Sequence, residues 1–121
     1  MIVALFLRRL SPGKTYEDFK AAWEAEQGFG APARVLTAVG LADPQEVLTV
    51  GLVDLDPAQL EAGFQQVAEQ EHVRHERIAE VIESTELRAF FELRSEHDFS
   101  ADPREIEIGG AESLLRLLAQ A

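Results

Sequence analysis

Apolar and polar positions along this chain fall into alternating strand-length and helix-length pieces. Residues 2–7, Ile-Val-Ala-Leu-Phe-Leu, are continuously apolar, and the run passes through Arg8, Arg9 and Leu10 to the turn signal Ser11-Pro12-Gly13. A strand that is apolar on both faces is expected at the centre of a sheet, covered on both sides. Thr15 and Asp18 then have the N-cap to N3 spacing of a capping box. Behind them Tyr16, Phe19, Trp23 and Gln27 recur at helical spacing and share one face, until Gly28, Gly30 and Pro32 end the helix.

The pattern then returns to strands. Residues 34–41 form a second strand, and residues 42–46 a hairpin-sized loop. Residues 47–53 form a third strand, again apolar on both faces. Asp56-Pro57 is an N-cap followed by a proline at the first helical position. The helix it opens carries the stripe Leu60, Phe64, Val67, Ile78 and Ile82, with a kink allowed near Glu69–Glu71 and an end at Ser84-Thr85. Residues 87–93 form a fourth strand. Leu87, Ala89, Phe91 and Leu93 share one face, and Glu86, Arg88 and Glu92 alternate on the other, the pattern of an edge strand. Beyond Ser100, residues 105–108 suggest a short strand, Gly109-Gly110 a joint, and residues 111–119 a short amphipathic helix.

The order β-α-β-β-α-β is that of the split βαβ, or ferredoxin-like, sandwich: an α+β fold with a four-stranded antiparallel sheet. Right-handed crossovers place the first and third strands in the middle, and these are the two that are apolar on both faces. Both helices must cover one face. The other needs its own cover: a second copy of the chain, related by a two-fold axis, is expected to provide it, the alternative being the C-terminal tail, whose leucines are few for a whole sheet face. The expected organisation is a domain over residues 1–99 and a C-terminal extension over residues 100–121.

Residues 1–99 resemble the dimeric α/β-barrel superfamily. The opening strand carries the resemblance, with Tyr16-Glu17-Asp18-Phe19 leading to Trp23, and Glu71-His72 leading on to Phe90-Phe91 and Leu93. The first helix is similar to EthD-like members, which read Phe-x-x-x-Trp-x-x-x-His; here the histidine position is Gln27. The second helix and last strand are more similar to NIPSNAP-like members. The resemblance implies a dimer formed through the sheet face and a ligand space between sheet and helices. It also implies that chemistry, where present, is of the cofactor-independent monooxygenase or isomerase type.

Composition narrows the partners. The chain has 121 residues and a formal net charge of −11, with no cysteine. An acidic surface repels phosphate backbones and anionic lipid, so neither nucleic acid nor membrane is an expected partner. Disulfides and thiolate metal sites are excluded. The apolar start lacks a basic region before it and a cleavage site after it, so it is not read as a signal peptide. The expected location is the cytoplasm.

Glu71 and His75, four residues apart on the apolar stripe, are the leading catalytic pair. The carboxylate is expected to orient the imidazole and raise its pKa, as for a general base. The alternatives are a bend in the helix that lets both side chains reach water, or a buried structural pair. Tyr16, Trp23 and Gln27 are the candidate ligand-binding residues, although aromatics at helical spacing also serve as core. His72 has metal-like spacing to His75 and to Glu76, but a catalytic metal normally wants three protein ligands and the only other histidine, His97, lies beyond the fourth strand, so no metal is expected. His75 would be the best-placed axial ligand to a haem, but no cofactor is implied. One of Arg8 and Arg9 must face the helices or the dimer interface, either to meet an anionic ligand or to pair with Asp54 or a glutamate. A small, partly apolar organic molecule is the expected ligand. A non-catalytic binding or assembly module is the alternative function.

Overall fold

Nine successive extended residues, Ile2–Leu10, form β1 in the computed structural model, which describes residues 1–24, 28 and 30–119. β2 (Ala33–Val39), β3 (Glu46–Val53) and β4 (Ile82–Glu92) complete an antiparallel sheet of order β2-β3-β1-β4. β1 and β3 are central and β4 is an edge, as the hydrophobic pattern predicts.

α1 (Tyr16–Trp23) starts at the expected capping box: the Asp18 amide donates to Thr15 Oγ1, and the Thr15 amide donates to Asp18 Oδ2. The helix stops at Trp23, short of the predicted end at Gly28, and Gln27 lies outside the described residues. Its C-terminal carbonyls are taken up from the second helix: Arg74 Nε donates to the Trp23 carbonyl at 2.8 Å and Arg77 Nη2 to the Glu24 carbonyl at 3.1 Å. Cationic donors are favoured at a helix C-terminus because they answer the partial negative charge there.

A 3-10 turn at Pro57–Gln59, capped by Asp56, leads into α2 (Leu60–Ala79). α2 runs unbroken through residues 69–71, where a kink was allowed for, and ends earlier than its apolar stripe predicts. Ile82, expected on that stripe, is the first residue of β4. The reason is tertiary. β1 extends to Leu10, and its last residues need a partner, so Leu10 pairs with Ile82, Arg9 with Ser84 and Arg8 with Thr85. Sheet pairing therefore overrides helical periodicity. Two register shifts leave Glu83 and Glu86 as extra residues on β4, in the manner of β-bulges on an edge strand.

The core lies between the two helices and one end of the sheet. Leu10, Phe19, Val47, Ile78 and Val81 are buried together, with Ala22, Trp23 and Ile82 packed around them. The opposite sheet face carries three cross-strand rows: Arg34-Leu52-Val3-Phe91, Leu36-Val50-Leu5-Ala89 and Ala38-Leu48-Leu7-Leu87. Apart from Arg34 every residue in these rows is apolar. Leu36 is 62% exposed, Phe91 49% and Leu87 40%, so no element among the described residues covers the rim of that face.

The C-terminal segment closes on itself. β5 (Glu96–Asp98) pairs with β6 (Arg104–Ile106), a hairpin that spans the 99/100 boundary drawn from sequence. Ser113 Oγ and the Leu114 amide both donate to Glu96, and Arg104 bridges Asp98 and Glu112. The expected helix over residues 111–119 is reduced to turns and α3 (Arg116–Ala119). Among the described residues no helix is long and apolar enough to cross a membrane.

Phe19 is fully buried, whereas Leu41 lies fully exposed at the β2–β3 turn. Phe19→Ala is expected to lower stability by about 3–5 kcal/mol in urea unfolding. Leu41→Ala is expected to stay within about 0.5 kcal/mol. Equal effects would show that the core is not where the fold places it.

Candidate functional site

Small residues at facing positions open a space between sheet and α2. Ala4 on β1 stands opposite Gly51 on β3, and Gly63 and Ala68 sit on the facing side of α2. The resulting cavity has a volume of about 440 Å³. Ile2, Val35, Val53, Leu60, Phe64 and Val67 give it apolar walls, and a polar cluster of Arg8, Thr49, Glu71, Arg74, His75 and Arg88 lines it as well. Phe64 reaches across to Phe90 at 5.0 Å between ring centroids, and Phe90 meets Phe6 edge-on at 5.9 Å.

His75 and Glu71 meet as their helical spacing predicts, with His75 Nε2 3.4 Å from Glu71 Oε2. Glu71 is held more closely by Arg74, whose Nη1 donates to its two oxygens at 2.6 and 2.7 Å. The Arg74 guanidinium also lies 5.1 Å from the centre of the Trp23 ring. Arg74 therefore ties α1, α2 and the carboxylate together.

The electrostatics reverse one expectation. Partial burial pushes the His75 pKa below its ordinary value of 6.5; Glu71 opposes this, but Arg8, Arg74 and Arg88 add to the downward push. The neutral imidazole is then the dominant form at pH 7. The raised pKa expected from Glu71 is overturned because burial of the imidazole outweighs the carboxylate, and three nearby guanidiniums add to the downward push.

Arg8 is the inward-facing member of the Arg8-Arg9 pair. It is 6% exposed, and its guanidinium lies 4.7 Å from the centre of the Phe6 ring and 5.8 Å from that of Phe19. Burial, with Arg74 and Arg88 nearby, lowers its pKa to about 10, so it stays charged at neutral pH. Arg8 Nη1 and Thr49 Oγ1 are enclosed and have no hydrogen-bond partner among the described residues. Such groups cost roughly 1–3 kcal/mol each when left unsatisfied. Arg9 turns outward and pairs with Asp43 at 2.9 Å, not with Asp54.

Of the candidates from sequence, Glu71, His75 and Trp23 line this one cavity. Tyr16 lines a smaller neighbouring recess with Phe19, Lys20 and Thr37, which shares only Trp23 and Val35 with the main space. Gln27 cannot be placed, for the reason given above. His72 also borders the cavity, but its side chain is largely exposed and pairs with Glu76 at 3.0 Å. Among the described residues no three His, Asp or Glu side chains gather as metal ligands would. Arg88, Thr49 and Gly51 line the cavity as well and did not stand out as site residues in the sequence. The usable signals were an arginine on the inward side of the last strand and a glycine inside an otherwise apolar central strand.

These elements define a ferredoxin-like α+β sandwich with a ligand-sized space between its sheet and second helix. No protein-family model matches the sequence, and no curated protein matches it. Among solved structures the fold is similar to that of a candidate antibiotic biosynthesis monooxygenase from Chloroflexus aurantiacus J-10-fl. That protein is 13% identical with a TM-score of 0.61, and the match covers 82% of this chain and 98% of the other. The fold is also similar to that of an uncharacterised NIPSNAP domain protein from Burkholderia xenovorans, at 21% identity and a TM-score of 0.59, covering 84% of this chain and 100% of that one. At these identities the likeness is one of fold. It agrees with the ferredoxin-like fold expected from the sequence, and one of the two neighbours is a NIPSNAP domain protein.

A depressed His75 pKa links protonation to folding. Between the folded value and the unfolded value near 6.5 the unfolded chain binds more protons. The stability that neutral His75 contributes is full above about pH 6.5 and is lost as pH falls through the folded value. In an NMR titration the His75 ring is expected to show a midpoint below 6.5. Glu71→Gln should move it lower and Arg88→Gln higher. The opposite order would overturn the assignment of causes.

Proposed function

We propose that the chain works as a cytoplasmic homodimer, joined through the uncovered sheet faces, in which each subunit holds a small, partly apolar organic molecule between sheet and α2. The observation that carries this reading is the 440 Å³ cavity, whose apolar walls share the space with a titratable cluster. Ligand sites are commonly concave, mostly apolar and provided with a few convergent polar groups. The three apolar rows on the outer face support the dimer, because a patch of that kind is costly in water.

Proton transfer is the chemistry this arrangement supports. Neutral His75 removes a proton from an O–H or acidic C–H of the bound molecule, and Trp23 shapes the wall beside it. Cofactor-independent oxygenation or isomerisation would begin with such a step. Glu71 assists only weakly, because Arg74 holds it at shorter range than His75 does. That same observation favours the second reading, a non-catalytic binding module in which Glu71 and His75 are structural.

Three variants test the proposal, with 1-naphthol as the probe. Val50→Arg, in the middle of the outer face, should convert a dimer to a monomer in light scattering; a monomeric wild type would overturn the back-to-back assembly. Val67→Trp should fill the cavity and weaken naphthol binding at least about tenfold, since the bound ring loses most of its apolar contact. Unchanged binding would sink the cavity as the site. His75→Ala should keep the dimer and its stability while removing the pH dependence of binding. A mainly destabilising effect would favour the binding-module reading.

A further inference from the structure

We infer that the Arg8–Arg88 end of the cavity is an anion subsite, in which Arg8, Arg88 and Thr49 receive the carboxylate of an organic acid whose apolar body lies along Ile2, Val53 and Phe64. The inference rests on the proposed ligand cavity and adds the class of molecule it takes.

Strand register brings the three donors together. Phe6 stands opposite Thr49 on β3 and opposite Arg88 on β4, so these residues form one row on the helix-facing side of the sheet. Arg8 is two residues further along β1, on the same face. Both guanidiniums lie by the Phe6 ring, at 4.7 Å for Arg8 and 5.8 Å for Arg88. All three residues line the cavity.

Burial makes Arg8 and Thr49 unusual. Arg8 is 6% exposed and Thr49 3%, and the enclosed atoms Arg8 Nη1 and Thr49 Oγ1 lack a hydrogen-bond partner among the described residues. No ion pair joins Arg8 or Arg88 to a carboxylate among those residues, and the nearby Glu71 is taken by Arg74. The sequence holds 22 Asp and Glu against 11 Lys and Arg, so acidic partners are plentiful elsewhere. Two arginines turned to a cavity without one mark a place for an anion from outside the chain. A carboxylate has two oxygens with room for several donors, and it accepts well from both guanidinium and hydroxyl groups. The rest of the lining is largely apolar, which suits a single charged head on an uncharged body.

The test compares 1-naphthoate with its neutral isostere 1-naphthamide by calorimetry on the full chain. Naphthoate is expected to bind at least about tenfold tighter, as charge-assisted hydrogen bonds imply. Arg88→Gln, at an exposed position, and Thr49→Val, a near-isosteric change, should each reduce that preference, costing naphthoate more affinity than naphthamide. Equal binding of the two probes by the wild type, or a preference that survives both substitutions, overturns the anion subsite while the cavity reading stands. Binding of neither probe overturns both.

Discussion

The pairing of β1 with two neighbours at once is the constraint on which this structure depends. β1 supplies the central strand, and its nine residues fix the register of β3 on one side and β4 on the other. Because side chains alternate, that register sorts every residue of the sheet to one of two faces. Ile2, Ala4, Phe6 and Arg8 go to the helix side, and Val3, Leu5 and Leu7 to the uncovered side. A slip of one residue would exchange a chemical site for a greasy surface. The bulges at Glu83 and Glu86 let β4 follow β1 to its end without such a slip.

Charge is distributed unevenly between the outside and the cavity. The chain is strongly acidic overall, yet the cluster lining the cavity contains three arginines and one glutamate. Arg74 serves the fold, joining the last carbonyl of α1 to Glu71 on α2. Arg8 and Arg88 form no such ion pair among the described residues, and together with burial they help keep His75 uncharged. An imidazole in that state can accept a proton, which a permanently paired imidazolium cannot.

The order of elements was legible because it is written in local patterns: two runs apolar on both faces, a capping box at Thr15, and an Asp-Pro start before α2. Element ends were less legible. Ile82 continues the helical stripe perfectly well in sequence, and only its pairing with Leu10 makes it a strand residue. The site divides in the same way. Glu71 and His75 could be paired from helical spacing alone. Arg8, Thr49 and Arg88 could not be joined, since they lie on three strands and cross-strand register is not encoded by any one of them. Tyr16 and Trp23 share a helical face, yet only Trp23 also reaches the main cavity.

The size of the cavity comes from side chains that are small rather than from any that are large. A Cβ on Gly51 would lie 3.5 Å from that of Ala4, an ordinary contact, and one on Gly63 would lie 3.2 Å from the flexible end of Leu55. Single methyl groups could therefore be added from either wall with little disturbance to the backbone. None of these positions carries charge. The length or width of an accepted molecule can then drift over generations independently of the groups that recognise its polar end. Descendants of this chain could diverge in which molecule they take while keeping one chemistry.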